Sequence, residues 1–180
     1  MKTKHGAGPH NLFVCSLRTG RRRVRDLKPS RVISILGASD GFSMPEFYGA
    51  EHLRLEFDDV AYSSGSYVAA DARHIEKLLG FISSWRGGER LLLHCLAGSS
   101  RSPAAALIAM AAKEPGNELE QALNLRCIAP QAQPNGRLIQ LGDEALGAGG
   151  RLIQAVSQMP FPSGVARTDL ISLYAPLNRP

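Results

Sequence analysis

No run of the chain is both long enough and apolar enough to cross a bilayer. The first ten residues, MKTKHGAGPH, also lack the apolar core of a signal peptide, so a cytoplasmic location is the expectation. Cysteine is sparse: Cys15, Cys95 and Cys127 are all there is. With no Cys-x-x-Cys spacing, they argue against a disulfide scaffold or a thiolate zinc site and for reduced thiols. Aromatic residues make up only 6% of the chain, so its core must be built from Leu, Ile, Val and Ala. No repeat and no linker composition divides the 180 residues. One domain is expected, with a core over about 11–158 and a proline-containing tail.

What is present is ordinary in bulk and particular in place. The chain is 44% hydrophobic and 21% charged, as a globular protein is. Part of its formal net charge of +5 comes from Arg18, Arg21, Arg22, Arg23, Arg25 and Lys28. No nucleic-acid motif accompanies that cluster. A solvated helix face is expected there, and nucleic acid is not the expected partner.

Residues 11–17 and 31–36 have the apolar, β-branched character of buried strands, and 18–28 reads as a loop and short helix before Pro29. Residues 38–50 read as loop. Residues 52–57, HLRLEF, alternate as a strand does, with Leu53, Leu55 and Phe57 on one side. A helical stripe of Ile75, Leu78, Leu79 and Ile82 runs within 68–86 and is stopped by Gly87 and Gly88. Leu91, Leu92 and Leu93 do not alternate, as expected of a central strand covered on both faces. Helices follow from Pro103 and over about 117–127, 135–146 and 151–158. The tail from Met159 reads as a wrapping or loose segment. Strands separated by helices predict an α/β fold: a central, mostly parallel sheet of four or five strands flanked by helices.

In such folds, sites form beyond the carboxyl ends of the strands. The segment LLLHCLAGSSRSP, residues 91–103, lies there. Gly98 lets the loop turn back, and its small neighbours keep side chains clear. The backbone N–H groups of Leu96, Ala97, Gly98, Ser99, Ser100 and Arg101 then form a nest the size of an oxyanion. Arg101 adds a planar fork for two phosphate oxygens. A positive setting favours the thiolate of Cys95, placed to attack phosphorus opposite the leaving oxygen. The arginine and the amides supply the positive field, so no metal or cofactor is expected. The five histidines have no ligand-like spacing.

HCLAGSSRS resembles the HCxxGxxRS signature of the cysteine-dependent protein tyrosine and dual-specificity phosphatases, with His94, Cys95, Gly98, Arg101 and Ser102 matching it. The general layout is most similar to small bacterial proteins of predicted tyrosine phosphatase type. The resemblance implies a phosphatase-like fold and a phosphomonoester hydrolase working through a phosphocysteine on Cys95. Arg101 would bind phosphate, Ser102 would ease departure of the sulfur, and His94 would tune it from behind. The implied partner is a phosphorylated protein or peptide, with a phosphate or sulfate ion fitting the same loop. The alternatives are a non-catalytic phosphate-binding module, a sulfur-transfer domain, or the same chemistry on a phosphoinositide, a nucleotide or an RNA 5′-phosphate.

Hydrolysis needs a general acid. Asp58 and Asp59 follow the alternating strand, and both are candidates. The register of the resemblance selects Asp59, with Asp58 one residue of loop slack away. Asp71 fits a first helical turn, and Asp40 reads as a solvated turn residue. The resemblance extends to Arg126, Pro134, Asn135, Gln140 and Leu141, read as structural supports of the loop. Tyr48, Tyr62 and Tyr67 are candidates to line the entrance. Cys15 and Cys127 are expected to be buried packing, and Cys95 an exposed thiol open to oxidation.

Overall fold

The computed structural model describes residues 11–47, 49–86, 88–161 and 168–173. The first ten residues, Tyr48, Gly87 and most of the proline-containing tail lie outside them. Strands β1 (Leu12–Ser16), β2 (Arg31–Ile35), β3 (Glu51–Leu55) and β4 (Leu91–Cys95) are parallel. A fifth, β5 (Leu170–Leu173), pairs antiparallel with β1, giving the order β3-β2-β4-β1-β5. The central place of β4 explains its unalternated leucines, since both of its faces are covered.

Alternation along each strand sorts the two faces. Leu12, Val14, Ile33, Ile35, Leu91 and Leu93 face the larger core. There they meet α2 (Ala72–Ser83), α3 (Arg101–Lys113), α4 (Glu118–Ile128), α5 (Gly136–Leu146) and α6 (Arg151–Ser157). Phe13, Cys15, Val32 and Leu92 face the other way, with Phe47, toward α1 (Leu17–Leu27). The helix α3 is buried from Arg101 to Ala111. Its alanines let neighbouring helices approach closely. At Gly142 of α5 an added Cβ would lie 2.5 Å from Ile108 Cγ1, so only glycine fits that crossing.

Several elements differ from expectation. The basic segment is not a loop and short helix but α1 itself, which starts at once after β1. Ser16 caps it by accepting from Thr19 N (3.1 Å), and Lys28, left-handed at φ 43°, ends it before Pro29. The helix expected within 68–86 is shorter. Asp71 caps α2 through Arg73 N (3.0 Å) and His74 N (3.3 Å), and the helix ends at Ser83, before the glycines. The tail contributes β5, whose Ile171 and Leu173 join the core beyond residue 158. Cys15 is buried, but Cys127 lies exposed on α4 and is not packing.

Candidate active site

The site starts from the end of β4. Cys95 closes the strand, residues 96–100 curl, and Arg101 opens α3. Gly98 has φ +74°, and a Cβ there would sit 2.5 Å from the main chain of Cys15 and of Ser16. The turn therefore needs glycine for both conformation and room. Outside the curl, Gln133 N donates to Ser99 O (2.7 Å) and Asn135 N to Ser100 O (3.2 Å). These bonds hold two carbonyls outward, as the support expected from the 126–141 segment requires. Arg126 itself braces Pro130 O.

Two donors converge on Cys95 Sγ: Gly98 N (3.2 Å) and Ser102 Oγ (3.2 Å). Cys95 is 1% exposed, so it is a sheltered thiol at the floor of the loop and not the exposed one expected. Cys15 is near enough to feel its charge. Burial first, and that charge second, push the Cys15 thiol up to about 12. The two cysteines nevertheless point to opposite faces of the sheet, into different hydrophobic clusters.

Arg101 is almost wholly buried. Its Nη1 and Nη2 donate to Asp40 Oδ2 (2.8 Å) and Oδ1 (2.9 Å), and Nη1 also donates to Phe57 O (2.9 Å). Burial opposes its charge, but the Asp40 hydrogen bonds and the negative field of Cys95, Asp40 and Asp59 hold its pKa above the ordinary value. Nε is buried without a hydrogen-bond partner. Such a donor is costly until an acceptor arrives.

The two aspartates after β3 are separated sharply. Asp58 is 1% exposed, and its carboxylate accepts from Ser39 N (3.1 Å), Ser39 Oγ and Val68 N (2.7 Å). Desolvation alone would raise its pKa. Those hydrogen bonds and the nearby Arg101 charge bring it below the usual carboxylate range. Three donors from the surrounding loops thus engage the buried Asp58 carboxylate. Asp59 lies exposed at the rim of the curl. Its Oδ1 accepts from Ser100 Oγ (2.7 Å) and Asn135 Nδ2 (2.8 Å), and its Oδ2 is 3.9 Å from Arg101 Nε.

His94 is fully buried behind the cysteine. Its Nε2 meets Ser34 Oγ (2.5 Å), which also meets His52 Nε2 (2.7 Å). Phe47 packs against both rings at 5.3 and 5.4 Å between centroids. Burial is the leading cause that lowers each imidazole to about 4. Tyr62 and Tyr67 are exposed. Among the described residues no three His, Cys, Asp or Glu side chains gather as a metal would require. No described helix is long and apolar enough to cross a membrane.

Two residues of the site make contacts that the sequence reading did not foresee. Asp40 is no solvated turn residue but the clamp on Arg101. The available signal was its place just past the carboxyl end of β2, beside the site edge. Asn135, read as a structural support, also holds Asp59.

No family model and no curated protein matches the chain. Solved structures do. It is similar to human tyrosine phosphatase-like serine/threonine/tyrosine-interacting protein, with TM-score 0.62, 19% identity and coverage of 76% of this chain and 91% of that one. It is similar to PTPMT1 in complex with PI(5)P at TM-score 0.59, 16% identity, 83% and 94% coverage. The Yvh1 phosphatase domain from Chaetomium thermophilum matches at TM-score 0.58, 19% identity, 81% and 96% coverage. Human, mouse and Chaetomium thermophilum proteins are among the similar structures, so the likeness is not specific to the small bacterial phosphatases that the sequence layout suggested. The chain has a phosphatase-like α/β fold, a mostly parallel five-stranded sheet flanked by helices.

Proposed function

We propose that the chain is a cysteine-dependent phosphomonoester hydrolase of the protein-tyrosine or dual-specificity type. The observation that carries this reading is the pairing of Cys95 Sγ, under two donors, with the buried Nε of Arg101, which has no hydrogen-bond partner. A phosphate over the sulfur gives that nitrogen its acceptor and meets the loop amides with its remaining oxygens.

The thiolate of Cys95 attacks phosphorus in line, and the P–O bond to the leaving alcohol breaks. Asp59 gives that oxygen a proton from Oδ2, since Oδ1 is engaged by Ser100 and Asn135. The phosphocysteine is then hydrolysed. Asp59 takes a proton from water, water oxygen bonds to phosphorus, and the sulfur leaves as a thiolate steadied by Ser102 Oγ. Asp40 keeps the guanidinium in plane for both steps. His94 supports the loop from behind as a neutral ring.

The test is hydrolysis of an aryl phosphate by wild type and by Cys95→Ser. Turnover should vanish in the variant while circular dichroism and Tm are retained. Turnover that survives the substitution overturns the reading. Phosphate affinity with no turnover in wild type would leave a binding module instead.

A further inference from the structure

Charge is spread unevenly along the chain. Residues 17–28, which form α1 and its cap, hold six Lys and Arg against one Asp. Residues 29–161 hold eleven Lys and Arg against fourteen Asp and Glu. The formal net charge of +5 therefore equals that of this one helix with its cap, and the body that carries the helix is net acidic. A cavity of about 590 Å³ opens beside the second half of α1. Its inner members are apolar: Pro29 and Phe47 are buried, and Val24 and Ala50 are half-buried. Its outer members are cationic. Arg21, Arg25 and Lys28, spaced four and three residues apart, share one helix face and are exposed. Arg23 pairs with Asp26 (3.5 Å), but among the described residues none of these three is ion-paired. Glu46 is the one acidic member of the lining.

The walls are tied to one another. Arg90 Nη1 donates to Leu27 O (2.8 Å) at the end of α1, Ser30 N donates to Arg90 O (3.1 Å), and Glu51 N donates to Ser30 O (2.9 Å). The cavity is thus formed before a ligand arrives, which lowers the ordering cost of binding. Phe47 closes it toward the sheet, with its ring on those of His52 (5.3 Å) and His94 (5.4 Å). Burial is the main cause of the low His94 pKa, and the charge of Arg21 adds to it, so the arginine lies near that ring. Phe47 is 6% exposed and offers no open face to a nucleic-acid base. The lining has no large exposed apolar side chain that could enter a bilayer. What fits is an apolar side chain with carboxylates around it, since guanidinium forks grip carboxylates bidentately.

We propose that this cavity is a docking site for an acidic peptide segment of a partner protein, with one apolar side chain seated against Phe47 and flanking carboxylates held by Arg21, Arg25 and Lys28. The net acidic body repels such a segment elsewhere, and α1 draws it to this side. Docking here is independent of the chemistry at Cys95. Its occupant is one ring away from His94, through Phe47.

The test titrates the intact protein with a labelled, unphosphorylated peptide in which one Leu is flanked by Glu on both sides, at ~0.15 M salt, where long-range attraction is screened. Replacing that Leu by Ala should weaken binding about tenfold. Replacing the Glu residues by Lys should abolish it. Arg21→Gln with Arg25→Gln should also weaken binding about tenfold. Arg18→Gln with Arg22→Gln makes the same change of charge on α1 outside this lining, and should stay within about threefold. All four positions are exposed, so both double variants should keep the wild-type Tm. In wild type, saturation with the peptide should shift the ring resonances of His52 and His94. Equal losses in the two double variants, or no dependence on the Leu, show attraction by charge alone and overturn the proposal. Unmoved histidine resonances place the peptide elsewhere and also overturn it. Absence of peptide binding overturns it too, and arginine-dependent binding of an RNA oligonucleotide or a phosphatidylserine vesicle in its stead assigns the helix to that partner.

Discussion

Asp40 and Arg101 form a bidentate pair across the floor of the site, at 2.8 and 2.9 Å, with the aspartate itself oriented by Gly37 N (2.8 Å). The pair fixes the guanidinium before any anion arrives and leaves Nε without a hydrogen-bond partner, 3.9 Å from Asp59 Oδ2. Asp40→Asn keeps the shape and removes the charge, so kcat/KM should fall roughly 10- to 100-fold through misorientation of Arg101. Asp40→Ala leaves a buried charge unpaired and should also cost about 3–5 kcal/mol of stability. Steady-state kinetics beside denaturant unfolding separate the two effects. An Asp40→Asn enzyme with unchanged kinetics would remove Asp40 from a positioning role.

The adjacent aspartates should respond in opposite ways. On the proposed mechanism, Asp59→Asn slows poor leaving groups by about 10²–10⁴ and activated aryl phosphates much less. Asp58→Asn should act on the fold instead. Its folded pKa lies below the unfolded value of about 3.9. The stability it contributes is therefore full above that unfolded value and is lost as pH falls through the folded one. Unfolding of Asp58→Asn should be easier at pH 7, and its acid limb below about pH 4 flatter than that of wild type. A leaving-group effect equal in both variants sinks the division of roles.

Much of this arrangement was legible from local pattern. The curl after β4 is written in Cys95, Gly98 and Arg101, because a tight anion nest requires those residue types at that spacing. Parallel pairing followed from the alternation of strands and helices. Partners that come from distant loops were not legible. Asp40 reaches Arg101 from 61 residues away, and only its place just past the carboxyl end of β2 hinted at the site. Nor was it legible which of Asp58 and Asp59 the Ser39 and Val68 donors capture. The strand β5 was hidden by its length of four residues after a proline-bearing stretch. Its only signal was the period-two placing of Ile171 and Leu173.

The His52–Ser34–His94 chain is neutral in the working range, since both rings are pushed down to about 4. Neither should contribute an inflection to the pH–rate profile between about pH 5 and 8. The folded pKa of His94 lies below its unfolded value of about 6.5, so its neutral burial is fully tolerated above that pH. Stability then declines as pH falls from about 6.5 toward 4, by up to the order of 3 kcal/mol from His94. The slope of unfolding free energy against pH over that window should be shallower in His94→Asn. An NMR titration of His94 with a midpoint near 6.5 contradicts this.

Gly98 offers a test that separates conformation from mere loss of a glycine. Alanine at this position must hold φ +74° and must place its Cβ 2.5 Å from backbone atoms of Cys15 and Ser16, which cannot rotate aside. Gly98→Ala should therefore shift the end of β1 or open the curl. The expected cost is about 1–3 kcal/mol of stability from backbone strain, before the clash is counted. The Gly98 N–H is one of the two donors on Cys95, so activity should fall further than the loss of folded protein explains. Gly80 is the control. It lies exposed in α2, with no atom within 4 Å of an added Cβ. Gly80→Ala should be neutral in activity and stabilise by about 0.4–1 kcal/mol. Parallel unfolding curves and aryl phosphatase rates for the two variants decide the matter. A Gly98→Ala protein as active and stable as Gly80→Ala would show that the curl does not depend on this backbone.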